Sequence, residues 1–269
     1  MLEMLSYPFM QRALVGGLLV SLCASLLGVC LVLKRYSMIG DGLSHVGFGA
    51  LAIATAFNAA PLPVSLPIVI VAAFFLLRIS SNSSINGDAA IAILSSGSLA
   101  VGVLIVSVTK GMNTDLNNYL FGSILAMNKE DIILSCILSV LMIVLFLFFY
   151  HRIFAVTFDE MFARACGLKA SVYNGIIASL TAITVVLGMK MMGALLISSL
   201  IIFPAMSAMR IFKTFYKVII LSAILSCFCF VTGLVLAFYF DLPTGATVVC
   251  MNILVFLICA VKGKIFNFN

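Results

Sequence analysis

Charge is scarce in this chain of 269 residues. It holds nine acidic residues, two histidines and no tryptophan, and charged residues make up 9% of the sequence. No Gly-x-x-x-x-Gly-Lys-Ser/Thr phosphate loop occurs, so the chain cannot by itself bind ATP in the usual way. A Ser-His-Asp set and the Cys/His spacing of a zinc finger are absent as well. These absences argue against an enzyme, and any energy for uphill transport must come from a partner.

Apolar residues are abundant by contrast. They make up 64% of the chain, and apolar runs of about 20 residues, the length that crosses a bilayer as a helix, recur from end to end. The composition predicts an all-α, polytopic membrane protein that forms a single transmembrane domain over residues 1–269, without linkers.

Nine membrane helices are predicted from the apolar runs and the turn residues between them. The predicted segments are 13–33, 43–58, 62–77, 89–108, 132–150, 171–189, 192–209, 218–240 and 244–261. The apolar stretch 119–127 is too short to span, so we predict that it is re-entrant or lies on the membrane surface.

Orientation follows from the lysines and arginines. With the amino terminus outside and the carboxyl terminus inside, most of the 15 basic residues fall on the cytosolic side, as the positive-inside rule requires. These flanking residues account for the net charge of +6. We therefore predict no nucleic-acid partner.

Asp41 and His45 form the most informative pair in the chain. Residues four apart on a helix have Cβ atoms about 5–6 Å apart, so one divalent cation can touch both side chains. An aspartate near the bilayer centre costs about 2.5–3.5 kcal/mol on insertion scales, and such residues mark ion or substrate paths. The alternatives are that Asp41 caps the following helix and that His45 bonds to a main-chain carbonyl. Because Arg35 precedes the pair closely, access from outside requires a broken or deeply recessed second helix.

A second pattern lies in the loop 155–170. Thr157 followed by Glu160 resembles a capping box, and Gly167 is placed as a helix stop. Met161, Phe162 and Ala165 form an apolar stripe between them. The pattern predicts a short amphipathic cytosolic helix that docks on a partner, and the alternative is a helix lying on lipid.

Four segments of the chain resemble one known family in their order and wording. Residues 34–45 read KRYSMIGDGLSH, 119–126 read YLFGSILA, 158–167 read FDEMFARACG and 193–205 read GALLISSLIIFPA. They are similar to the permease family of bacterial zinc and manganese ABC importers, and the wording after Gly40 is closer to the zinc branch.

The resemblance implies an all-α permease of the type II ABC importer kind in the bacterial cytoplasmic membrane, without catalytic activity or a permanently bound cofactor. It implies a second permease copy in a homodimer, a pair of cytosolic ATP-binding subunits and an extracellular metal-binding protein. It assigns metal contact to Asp41 and His45 and a coupling helix to residues 156–167. The residues that match the coupling motif are Asp159, Glu160, Phe162, Ala165 and Gly167.

The chemistry of the two ligands leaves the metal open. Imidazole and carboxylate suit zinc, manganese and ferrous iron, whose affinities overlap. A transport site must release its ion, so we expect an incomplete set that water or the symmetry-related subunit completes. The rival functions are a secondary transporter that uses the pair as a proton relay and a scaffold protein, which would not need Asp41.

Overall fold

A computed structural model describes residues 7–82, 87–109 and 129–266. Within these ranges the chain forms α-helices and no strand, which confirms the all-α prediction. The predicted re-entrant stretch 119–127 lies outside the described residues.

Eleven helices make up the described part of the chain. They are α1 (Pro8–Leu33), α2 (Ile39–Ala56), α3 (Pro61–Asn82), α4 (Gly87–Val108), α5 (Lys129–Phe148), α6 (Tyr150–Phe158), α7 (Glu160–Ala165), α8 (Ala170–Met192), α9 (Ala194–Ile211), α10 (Phe215–Tyr239) and α11 (Thr244–Phe266).

The number of spans is slightly lower than predicted. Among the described residues, seven helices are each long and apolar enough to cross a membrane: α1, α3, α4, α8, α9, α10 and α11. The pair α5 and α6, which is bent by 70°, gives an eighth if it counts as one span. The remaining predicted span, 43–58, corresponds to α2. This helix is not apolar enough for a membrane span because Asp41, His45 and several glycines lower its mean hydropathy.

Two helices form the centre of the bundle. About three quarters of the most apolar stretch is buried in α8 (78%) and α1 (72%), against 22% in α4 and α11. The outer helices therefore turn most of their apolar surface to the surroundings, as lipid-facing helices do. Helix α2 packs against α3, α4, α8 and α9.

The two ends of the bundle can be told apart by α1. Its first residues follow Tyr7, whose ring lies 6.3 Å from that of Phe238 near the end of α10. Its last residue precedes Lys34, so we refer to the Tyr7 end and the Lys34 end. Met191, in the last turn of α8, reaches the position of Gly16, which places that turn towards the Tyr7 end.

Glycines bring the backbones around α2 into close contact. A Cβ atom on Gly28 of α1 would lie 2.0 Å from the carbonyl oxygen of Ile201 in α9. One on Gly49 of α2 would lie 2.9 Å from the carbonyl oxygen of Ser98 in α4. Small residues at such contacts allow membrane helices to approach closely, so Gly28 brings α1 against α9 and Gly49 brings α2 against α4.

Candidate metal site and coupling helix

Asp41 lies in the first turn of α2 without capping it. The N-cap is Met38, which makes no side-chain capping bond. The Asp41 carboxylate instead accepts a hydrogen bond from Ser198 Oγ of α9 at 3.3 Å. The capping alternative is therefore wrong, and the carboxylate faces another helix. A negative charge in the first turn is also favourable because the helix dipole is positive there.

His45 stands one turn further along the same face. Its Nε2 lies 3.7 Å from Asp41 Oδ2, so the structure brings the two predicted ligands together. The His45 side chain is 23% exposed and the Asp41 side chain 42% exposed. His45 Nδ1 is buried and has no hydrogen-bond partner among the described residues, so the predicted alternative of a carbonyl-bonded imidazole is not seen there.

The pair lies inside the bundle although it follows Arg35 closely. Gly40 faces the side chain of Ile201, whose carbonyl oxygen abuts Gly28 of α1. Gly28 lies five residues before Leu33, which is about 7.5 Å along the helix at 1.5 Å per residue. Because Asp41 follows Gly40, the first turn of α2 begins at depth. This position is compatible with the recessed second helix that the sequence predicts.

Few other metal-binding side chains lie nearby. Among the described residues, no group of three or more His, Cys, Asp and Glu side chains could hold an ion. Ser198 supplies an additional oxygen beside Asp41, and α9 contains two further serines, Ser199 and Ser207. Ser199 and Ser207 are buried, and Ser199 Oγ bonds to its own helix at Leu196.

The predicted coupling helix, α7, does not begin with the predicted capping box. Thr157 is buried within α6, and the chain leaves helical geometry at Asp159 (φ −147°, ψ 100°). The Asp159 carboxylate accepts the main-chain N–H of Phe162 at 2.9 Å. The capping box is therefore wrong, because the break between α6 and α7 makes Asp159 the N-cap.

The predicted stop at Gly167 is confirmed. Gly167 has φ 81°, a left-handed conformation that glycine adopts without steric cost. Its N–H donates to the carbonyl of Arg164, and the N–H of Leu168 donates to that of Ala163, both at 3.0 Å. These two bonds form a Schellman motif, which ends α7 after Ala165.

The apolar stripe of α7 points away from the protein. Met161 is 81% exposed and Phe162 is 65% exposed, and Ala165 is exposed as well. Only Ala163 turns inward, where it packs in a small apolar cluster that includes Tyr173 of α8. A helix of six residues thus presents two large apolar side chains outward.

Glu160 anchors α7 by contacts that the sequence did not reveal. Its carboxylate meets Arg164 of the same helix, Asn174 of α8 and Lys34 after α1. Burial raises the pKa of Glu160, but the contacts to Asn174, Arg164 and Lys34 outweigh it and lower the pKa below its usual value. Nothing in the local sequence pairs residues 34, 160 and 174, which are distant along the chain.

A family model, the ABC 3 transport family, matches residues 6–263. The chain belongs to this family. It is therefore a non-catalytic, multi-pass permease subunit of a metal ABC transporter in the bacterial membrane, and ATP hydrolysis belongs to a separate subunit.

Named relatives of this ABC 3 family permease differ in their metals. The chain is 29% identical to the high-affinity zinc uptake system membrane protein ZnuB of Haemophilus influenzae, over 96% of this chain and 99% of that protein. It is 29% identical to the manganese import system permease protein ScaB of Streptococcus gordonii, over 94% of this chain and 90% of that protein. It is 30% identical to a probable iron transport system membrane protein of H. influenzae, over 98% of this chain and 97% of that protein.

A solved structure agrees with the fold. The permease resembles a chain of PsaBC from Streptococcus pneumoniae, solved in complex with Fab, with a TM-score of 0.84 and 28% identity. The match covers 94% of this chain and 91% of that chain. The similarity therefore extends over nearly the whole permease.

Proposed function

We propose that this permease imports zinc, with Asp41 and His45 as the ligands that the ion meets inside the bundle. The observation that carries the proposal is the 3.7 Å separation of Asp41 Oδ2 and His45 Nε2 at a recessed helix start. His45 Nδ1 is buried and makes no hydrogen bond among the described residues, so no such bond competes with a metal for the orientation of the ring.

The separation of the two side chains is compatible with zinc and with an octahedral ion, and the choice of zinc rests on the wording of the motif after Gly40. Zinc bonds to nitrogen and oxygen of about 2.0–2.2 Å at a tetrahedral angle place two ligand atoms about 3.4 Å apart. An octahedral site with similar bond lengths places adjacent ligands about 3 Å apart. Manganese is the alternative, followed by ferrous iron, because relatives named for zinc, manganese and iron transport are about equally similar to this chain.

A second copy of the permease is the proposed source of the missing ligands. Tetrahedral zinc takes four donors, and the described residues offer two strong ones and the Ser198 hydroxyl. The exposure of Asp41 leaves room for a ligand or water from outside the chain. An incomplete set in each copy also allows release of the ion, which a closed structural site resists.

The proposed direction of transport runs from the Tyr7 end to the Lys34 end. The basic side chains at the Lys34 end include Lys34, Arg35, Arg152 and Lys213, which supports a cytosolic location of that end. An extracellular metal-binding protein would deliver the ion at the Tyr7 end. Cysteine labelling should therefore find position 213 reachable from inside and position 241 from outside, and labelling of both from one side would refute this orientation.

The proposed docking element for the ATPase subunit is α7. Burial of a large apolar side chain contributes about 1.5–3 kcal/mol, and Phe162 and Met161 offer this surface at the cytosolic end. Asp159 and Gly167 fix the two ends of α7, so that Phe162 and Ala165 are presented together. The alternative, that α7 lies on lipid, predicts no effect of these residues on ATPase binding.

Metal identity is tested in proteoliposomes that contain the permease, the ATPase subunit and the metal-binding protein. Uptake and ATPase stimulation are titrated with zinc, manganese and ferrous iron under equal conditions. Zinc should be taken up at the lowest concentration and should stimulate hydrolysis most. Preferential uptake of manganese or iron would refute the zinc assignment and leave the metal site itself intact.

A further inference from the structure

Three helix ends meet at the carboxylate of Glu160. Asn174 Nδ2 of α8 donates a hydrogen bond to Glu160 Oε2 at 3.0 Å, and Lys34 Nζ lies 3.7 Å from the same oxygen. Lys34 also donates to Asn174 Oδ1, which closes a ring of contacts. We call Lys34, Asn174 and Glu160 the polar triad.

The triad differs from an ordinary surface ion pair. The side chain of Lys34 is only 10% exposed, and burial lowers its pKa, which the neighbouring Glu160 partly opposes. Arg164, which binds the other oxygen of Glu160, is 63% exposed. Exposed pairs on one helix contribute little, whereas a buried charge that loses its partner is strongly unfavourable. Of the two ion pairs of Glu160, the one with Lys34 is therefore the stronger, and it joins α7 to the rest of the bundle.

Helix α7 depends on such contacts for its position. A free helix of six residues is not stable in water. Apart from its two caps, α7 is held by the buried Ala163 on one side and by Glu160 on the other. A displacement of α7 must therefore either break the triad or move Lys34 and Asn174 with it.

Both arms of the triad lead to α2. Lys34 is followed by a short turn, in which Tyr36 N–H bonds to the Leu31 carbonyl at 2.8 Å, and α2 begins directly afterwards. Asn174 belongs to α8, whose Met189 methyl group packs at Gly47 of α2. The start of α2 and its middle are thus connected to Glu160 through two separate elements.

We propose that the polar triad is a latch that transmits movement of α7 to α2, the helix that carries Asp41 and His45. Lys34, Asn174 and Glu160 act as positioning residues and set how many metal ions are moved for each ATP hydrolysed. The inference rests on the proposed docking of the ATPase subunit on α7 and adds the path by which that docking reaches the metal site.

The test measures ions transported per ATP in proteoliposomes with the complete complex. Glu160→Gln and Lys34→Met should each lower this ratio about fivefold or more, the usual size of a coupling between sites. The exchanged pair, Lys34→Glu with Glu160→Lys, should restore at least about half of the loss, since Asn174 can donate or accept. Arg164→Gln, which removes only the exposed partner, should stay within about twofold of the parent.

ATPase co-purification separates this proposal from the docking proposal. The latch variants should retain the ATPase subunit at the parental level, whereas loss of the subunit on Phe162→Ala concerns docking alone. The latch would be overturned if both Glu160→Gln and Lys34→Met transported the parental number of ions per ATP. It would also be overturned if the exchanged pair failed to restore the number of ions per ATP that the single variants lose. Asn174→Leu keeps both charges and removes only the amide bridge, so it decides the question if a charge variant fails to assemble.

Discussion

The candidate metal site and the Lys34 end of the same bundle are built in opposite ways. Around Asp41 the described polar contacts are few and long, and α2 is held by close packing of Gly40 against the Ile201 side chain and of Gly49 against the Ser98 backbone. Around Glu160 several charged and amide groups converge on one carboxylate, and apolar packing is limited to Ala163 and its small cluster.

The difference matches the proposed role of each region, which is ion release at Asp41 and transmission of movement at Glu160. An ion that is to be released needs few ligands, because a complete set would hold it. A short helix that is to transmit movement needs several strong contacts to its neighbours, because it cannot hold its own position. Tight backbone packing at one region and charged contacts at the other allow α2 to move as a body.

The largest effect is expected at the ligands. Asp41→Asn removes the negative charge and His45→Ala removes the imidazole, so each should lower metal uptake about 100-fold or more while the protein still inserts. The matched control is Asp241→Asn, an exposed carboxylate with φ 49°, a conformation that asparagine adopts readily. All three variants are measured by uptake of radiolabelled metal. Parental uptake by both Asp41→Asn and His45→Ala would show that these side chains are not metal ligands.

The next effect concerns the outward face of α7. Phe162→Ala and Ala165→Glu should lower the amount of ATPase subunit that co-purifies with the permease about tenfold, as expected for the loss of one buried aromatic side chain. Phe57→Ala is the control, because Phe57 is 80% exposed and follows α2 at the Tyr7 end. Equal recovery of the subunit by every variant would support a helix that lies on lipid.

The packing of α2 should respond to a single methyl group. Gly49→Ala places a Cβ atom 2.9 Å from the Ser98 carbonyl oxygen, so α2 and α4 must separate. We expect a loss of about 1–3 kcal/mol in stability, seen as a lower unfolding temperature in detergent. Gly97→Ala on α4 meets nothing within 4 Å and should be neutral or slightly stabilising. Equal unfolding temperatures would show that close packing does not hold α2.

The smallest effect is the pH dependence of Glu160. Its pKa lies below the usual value of 4.5, so its stabilising contribution is complete above that value and is lost as the pH falls through the lower, folded pKa. The difference in unfolding temperature between the parent and Glu160→Gln should therefore be constant from pH 8 to about pH 5 and shrink below it. A difference that shrinks between pH 8 and pH 6 would contradict this account.

The sequence predicted the helices and the proximity of Asp41 and His45 because both depend on local patterns. Apolar runs locate the spans, and the i, i+4 spacing places Asp41 beside His45 on one helix. The start of α2 at Ile39, four residues before the predicted position, was missed because Gly40 and Asp41 are poor helix and membrane residues. The Asp159 cap was missed because it depends on the bend between α6 and α7. Contacts between distant residues, Ser198 with Asp41 and Lys34 with Glu160, have no local signal.

The position of the ion tests the central claim most directly. Crystals of the permease complex soaked with zinc, measured at the zinc absorption edge, locate the metal by anomalous scattering. The account predicts a peak about 2.0–2.2 Å from Asp41 Oδ2 and His45 Nε2, lost in crystals of Asp41→Asn. A zinc peak bound elsewhere in the pathway, with no density between these two side chains, would contradict it.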